Sequence, residues 1–161
     1  MSSLSYKLRL WQEDDREFLF ALLKETMYES ITATLGWDEI WQRDNFEQRL
    51  TAQIVEVIEV QSLSVGSLWW EWLPESLYLH QLSILPSYQG RGLGTALIEK
   101  TLSRAKQQDK NVTLSVLEAN PRAKELYERL GFIVTRVESP FIRMTSDIDR
   151  GQSTPCNSHN I

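Results

Sequence analysis

Between Gln89 and Thr95 the chain reads Gln-Gly-Arg-Gly-Leu-Gly-Thr, and three of its seven glycines fall there, from Gly90 to Gly94. An apolar strand pattern closed by Pro86 comes before this cluster, and an amphipathic helix pattern follows it. A strand, a glycine-rich loop and a helix N-terminus in that order aim several backbone N–H groups and the positive end of a helix at one point. That arrangement suits the binding of a phosphate or pyrophosphate, because glycine lets the anion approach the backbone closely, and Arg91 adds a charge. A tight turn that merely reverses the chain is the other reading of the same residues. Two known phosphate loops do not fit. There is no Gly-Lys-Ser/Thr, and the spacing G-x-G-x-G is not the G-x-G-x-x-G of dinucleotide-binding folds.

Other chemistries are narrowed by what the sequence lacks. Cys156 is the only cysteine and the two histidines are His80 and His159. An internal disulfide and a cysteine-based metal site are therefore excluded, and no metal is expected. The net charge of −5 argues against binding nucleic acid by blanket electrostatics. With 42% hydrophobic and 24% charged residues, the 161-residue chain reads as one ordinary globular domain. No run approaches the length of a membrane span, and Met1 to Leu10 lacks a secretory pattern. The expectation is a cytoplasmic protein that does not act at a membrane.

The elements that must position the glycine cluster follow from periodicity. Tyr6, Leu8 and Leu10 alternate with Lys7 and Arg9 as a strand. Leu19, Leu22, Leu23, Met27 and Ile31 recur at helical spacing until Gly36, and a second helix is expected from about Asp38 to Leu50. Three strands are expected at Ile54–Val60, Val65–Leu73 and Leu77–Leu85, joined by short turns. Leu93 to Gln107 reads as a helix, Val112–Leu117 as a strand, and Asn120 as the cap of a helix beginning at Pro121 and stopped by Gly131. Phe132–Val137 and Phe141–Met144 finish the sheet. The order β-α-α-β-β-β-α-β-α-β implies an α/β fold with a mixed sheet and helices on both faces. Residues 1–146 would form the domain, and the polar stretch 147–161 a disordered tail.

Gln89, Gly92 and Gly94, after a strand ending in Leu82, Ile84 and Pro86, resemble the acyl-CoA motif of the GNAT superfamily of N-acetyltransferases. The segment from Asn120 through Tyr127 to Phe132 resembles that family's second motif, and the element order matches its fold over roughly Tyr6 to Met144. The resemblance implies acetyl-CoA as co-substrate. Backbone N–H groups of Gln89, Gly90, Arg91, Gly92, Leu93, Gly94 and Thr95 would then hold its pyrophosphate. The backbone of Leu82, Ser83 and Ile84 would pair with its pantetheine arm, which requires the fourth and fifth strands to splay apart and leave an edge open. Asn120 corresponds to a position that often touches CoA, and capping its own helix is the alternative role. Tyr127 matches the tyrosine placed near the thioester sulfur as general acid; a core aromatic is the plainer reading.

For the general base, some relatives carry a glutamate on the fourth strand where this chain has Tyr78. His80, read as sharing the parity of Leu82 and Ile84, resembles a histidine that helps carry the proton in aralkylamine N-acetyltransferases; a hydrogen-bonded structural histidine is the alternative. Glu71, Glu29 and water relays are weaker candidates. Tyr28, Trp37 and Trp41 fall where the family builds a wall of the acceptor site, and either line it or anchor helices. Ten acidic against three basic residues lie between Glu13 and Glu47, whereas five basic face two acidic between Pro86 and Lys110. The function implied is acetyl transfer to a small cationic or aromatic amine by direct attack. Rivals are N-terminal acetylation of a protein or peptide and a non-catalytic CoA sensor. The partners implied are an amine or peptide substrate, without nucleic acid or membrane, and the sequence allows a homodimer.

Overall fold

The computed structural model describes residues 4–146; the stretch read as a tail, with Cys156 and His159, lies outside the described residues. In chain order the elements are β1 (Lys7–Leu10), α1 (Arg16–Thr34), α2 (Glu39–Ala52), β2 (Ile54–Val60), β3 (Leu63–Trp72), β4 (Ser76–Ile84), α3 (Leu93–Gln107), β5 (Asn111–Leu117), α4 (Pro121–Arg129), β6 (Phe132–Glu138) and β7 (Phe141–Ser146). The architecture is the mixed α/β fold read from the sequence, and the two strands read at Phe132–Val137 and Phe141–Met144, which the order counted as one, form the hairpin β6–β7.

Seven strands form one sheet in the order β1-β2-β3-β4-β5-β7-β6, antiparallel except for the parallel pair β4–β5. One face packs on α1 and α2 through Leu19, Phe20, Leu23, Phe46 and Leu50 against Val55, Val57 and Trp69. The other packs on α3 and α4, where Ile98, Ala105 and Tyr127 meet Leu68, Trp70, Leu77, Leu79 and Leu114. Along α3 the buried residues Leu93, Leu97, Ile98, Thr101 and Ala105 recur every three or four positions, one face of a helix. At α4, Asn120 Oδ1 accepts from the Ala123 N–H at 3.3 Å, Pro121 occupies the first turn, and Gly131 takes φ +98° just past the end.

Two features of β4 prepare the site. Its parallel pairing with β5 runs only from Ser76/Asn111 to Leu79/Leu114, although both strands continue. Beyond Leu79 the two part, leaving backbone N–H and C=O groups of β4 open on that edge. The second feature is a bulge. Trp70 pairs with Leu79 and Trp69 with Gln81, so His80 is the extra residue. Leu77 and Leu79 face α3 and α4, and His80 therefore faces the α1–α2 side with Tyr78, whose ring lies 4.5 Å from it. Gln81 faces that same side, bonding Arg49 of α2, before Leu82 returns to the other core. The parity expected for His80 is thus corrected: strict alternation from Leu82 and Ile84 does not survive a bulge.

Candidate active site

The opened edge of β4 is the floor of a cleft of about 820 Å³, formed by Leu82, Ser83 and Ile84. At one end are Gln89, Gly90, Gly92, Gly94 and Thr95. Gly90 and Gly92 adopt φ +72° and +86°, left-handed conformations that favour glycine. In α3 the first N–H used is that of Ala96, bonded to Gly92 O at 3.1 Å, so those of Leu93, Gly94 and Thr95 precede the helical ladder. Gln89 Nε2 donates to Ile84 O at 2.8 Å and ties the loop to the end of the strand. The arrangement has the free N–H groups and positive helix end that could cradle an anion, at the end of an open strand edge.

One wall comes from α4 and its cap. Asn120 caps the helix and also lines the cleft, so the cap leaves it placed on this wall. Tyr127 lines the cleft as well, with its ring 5.3 Å from that of Phe132. Burial pushes its phenol up to about 12, which keeps it protonated throughout the neutral range. Arg122 and Arg129 add positive charge on this wall.

The opposite wall is α1, through Glu25, Thr26, Met27, Glu29 and Ser30. Thr26, Glu29 and Ser30 are three and four residues apart and share the face that reaches the cleft. Tyr28 lies off that stripe. It packs against Trp37 at 5.2 Å, Trp37 joins the α1–α2 core, and Trp41 is 59% exposed. These three aromatics therefore do not line the cleft, and the aromatic wall expected from the sequence is an acidic and hydroxylic one there.

The remaining sequence candidates lie at the margins. Arg91 is over the Tyr88 ring at 5.4 Å and donates to Ser87 O, outside the cleft. The Leu93 side chain is buried beside Ile84 and Leu97, leaving its backbone N–H for the cradle. His80 does not line the cleft either. It precedes Leu82 by two residues, about 7 Å along a strand. Its Nε2 lies 2.6 Å from Glu71 Oε2. Burial holds the imidazole below its ordinary value, with Glu71 pulling upward and the charge of Arg49 pulling downward. Of the α1 wall the sequence had singled out Glu29 alone, as a weaker base candidate, and it had given the α4 arginines no role. The excess of acid from Glu13 to Glu47, which contains Glu25 and Glu29, was the one signal of that wall.

Residues 5–132 match the family described as the acetyltransferase (GNAT) family. An uncharacterized N-acetyltransferase of Methanocaldococcus jannaschii is 38% identical over 71 residues, covering 44% of this chain and 31% of that protein. A thialysine N-epsilon-acetyltransferase of Mus musculus is 30% identical over 89 residues, covering 48% of this chain and 52% of that protein. The chain thus spans about half or less of the length of these two relatives. Among solved structures, the PaiA N-acetyltransferase of Thermoplasma acidophilum in complex with coenzyme A superposes with a TM-score of 0.73 at 15% identity, over 89% of this chain and 99% of that one. That likeness extends to the fold.

Proposed function

The chain belongs to the acetyltransferase (GNAT) family, and from that premise we propose that it transfers an acetyl group from acetyl-CoA to a primary amine by direct attack in a ternary complex. The observation that carries the reading is the continuity of three parts in one cleft: the open edge of β4, the N–H cradle at the start of α3, and Tyr127 on the facing wall. These residues suit acetyl-CoA, which as substrate brings an activated thioester. Leu82 and Ile84 offer backbone groups to an extended pantetheine arm, Ser83 turning its carbonyl toward Gly66 of β3, and the cradle from Gly90 to Thr95 suits a pyrophosphate. An N–H of the β4 edge polarises the thioester carbonyl, and holding both reactants in one cleft supplies much of the rate.

Each proton then has a residue to move it. The raised phenol of Tyr127 gives a proton or a hydrogen bond to the departing thiolate. His80, neutral because of its burial, takes the proton of the attacking amine through water, with Glu71 holding the ring. The acceptor is a small cationic amine. Glu25 and Glu29 favour a cation on the α1 side of the cleft, and the name of the mouse relative supports an amino-group acceptor.

The test is a turnover screen with acetyl-CoA over amines, amino acids and peptides, read as thiol release, beside calorimetry of acetyl-CoA binding. Turnover with a small amine is the expected result. Turnover confined to peptides would overturn the acceptor assignment. Binding without any turnover would leave a CoA sensor, and no binding would sink both readings.

A further inference from the structure

Arg49 sits on the sheet-facing side of α2, its guanidinium 4.7 Å from the centre of the Trp69 ring. Arg9, Arg16, Arg43 and Arg104 each pair with a carboxylate, whereas Arg49 has no such partner among the described residues. Burial without a counter-ion drags its pKa down to about 10. A hydrophobic residue would pack on Trp69 without that penalty, so the charge calls for a reason in its surroundings.

Two neighbours supply one. The first is a chain of hydrogen bonds that converges on Ser83. Arg49 Nη2 donates to Gln81 Oε1 at 2.9 Å, which leaves the Gln81 amide to donate from Nε2 to Ser83 Oγ at 3.0 Å. Thr26 has a single hydroxyl proton and lies 2.9 Å from Leu22 O, which can only accept. Thr26 Oγ1 shares that proton with Ser83 Oγ, 3.1 Å away, so Ser83 accepts from both Gln81 and Thr26. Arg49 thus orients Gln81 and, through it, the two hydroxyls on the seam between α1 and β4, where both line the cleft.

The second neighbour is His80, which the bulge of β4 brings to the same face as Gln81. The charged and titratable groups facing the imidazole are Glu71 from β3, Arg49 from α2, and the phenol of Tyr78, which itself bonds Ser115 of β5. A carboxylate at 2.6 Å acting alone would favour an imidazolium already carrying the proton it is meant to take. Burial of the ring opposes that first, and the cation of Arg49, held at the neighbouring Gln81, adds to it.

We propose that Arg49 is a positioning residue for acetyl transfer: held by Gln81 and Trp69 on the face that His80 shares, its charge counters that of Glu71 and, together with burial of the ring, leaves the imidazole free to accept the proton of the amine. The proposal rests on His80 being the group that takes that proton. Nothing in the acetyl-CoA motifs contains Arg49, and its role depends on α2 packing over the bulge.

The closing experiment is an NMR pH titration of the imidazole signals of the full chain, which needs no turnover. The chain has only two histidines, so His80→Gln assigns the signals and His159 serves as internal reference. Arg49→Met is expected to raise the His80 midpoint, and Arg49→Lys, which keeps the charge, to leave it unmoved. Arg49→Gln reads the same shift if Arg49→Met does not fold. An unmoved or lowered midpoint in the neutral variants overturns the proposal. With an amine acceptor in hand, the acid limb of kcat/KM should move with the midpoint. A moved midpoint without acetyl transfer to any amine would support the role of Arg49 at His80 and refute the proposed activity instead.

Discussion

Gly66 belongs to no recognised motif, yet it is the glycine at which the strand under the cleft is most easily disturbed. It lies on β3 opposite Ile84 of β4. A Cβ added there would meet Ser83 O at 2.4 Å, Ile58 Cδ1 at 3.0 Å and Ile84 Cα at 3.3 Å. The first contact is with backbone, so no side-chain rotation relieves it; β3 and β4 must separate by several tenths of an ångström. Overpacking of this kind costs about 1–3 kcal/mol, offset by roughly 0.4–1 kcal/mol from the stiffer unfolded chain. Gly66→Ala should therefore lose about 1–2 kcal/mol, a fall in Tm of roughly 2–8 °C for a domain of this size. The same displacement moves the backbone of Ser83, on the cleft floor. Loss of one backbone hydrogen bond to acetyl-CoA, about 1 kcal/mol, weakens Kd by roughly fivefold. Calorimetric melting and isothermal titration with acetyl-CoA measure the two effects. Gly94→Ala is the control for stability: its Cβ would meet only Ile84 Cδ1 at 3.7 Å, an ordinary contact, and Tm should not fall. A Gly66→Ala protein as stable as the parent, with unchanged affinity, would refute the reasoning.

Four further outcomes are expected. Tyr127→Phe should lower kcat by about 10²-fold or more while acetyl-CoA affinity in calorimetry stays within about threefold, since the ring packing is kept and only the proton donor is lost. The same phenol, raised to about 12 in the fold, implies stability that is intact below about pH 10 and falls as pH rises from there to about 12; in Tyr127→Phe that part of the alkaline loss, followed by urea denaturation, should disappear. Replacing both Glu25 and Glu29 by Gln should raise KM for a cationic amine severalfold, leave KM for acetyl-CoA nearly unchanged, and lose its effect at high salt. Asn120→Ala removes the cap of α4 and should cost about 1 kcal/mol in chemical denaturation, together with weaker acetyl-CoA binding from the cleft wall it lines.

The elements with strong local signals are legible in the sequence. β2 (Ile54–Val60), α3 (Leu93–Gln107) and the Asn120–Pro121 start of α4 fall where alternation, helical spacing and capping chemistry put them. The glycine cluster is legible for a similar reason: Gly90 and Gly92 take backbone conformations that few other residues tolerate, so residue type and conformation carry the same information. Strand ends are less legible, differing by one or two residues at β3, β4 and β7, because they are set by where a partner strand stops and not by the residue itself.

By itself, then, the sequence determined the element order, the position of the anion cradle and the helix that carries Tyr127, since each depends on residues within a few positions of one another. Tertiary structure alone decided the rest. The face on which His80 lies depends on one extra residue in the register between β3 and β4, which alternation within β4 does not reveal. The acidic α1 wall, the unpaired charge of Arg49 beside Gln81, and the contact that makes Gly66 small all join residues far apart in the chain. Such properties arise from packing across elements, where helix placement and hydrogen-bond register are settled by the whole fold, and no local pattern of residue types encodes them.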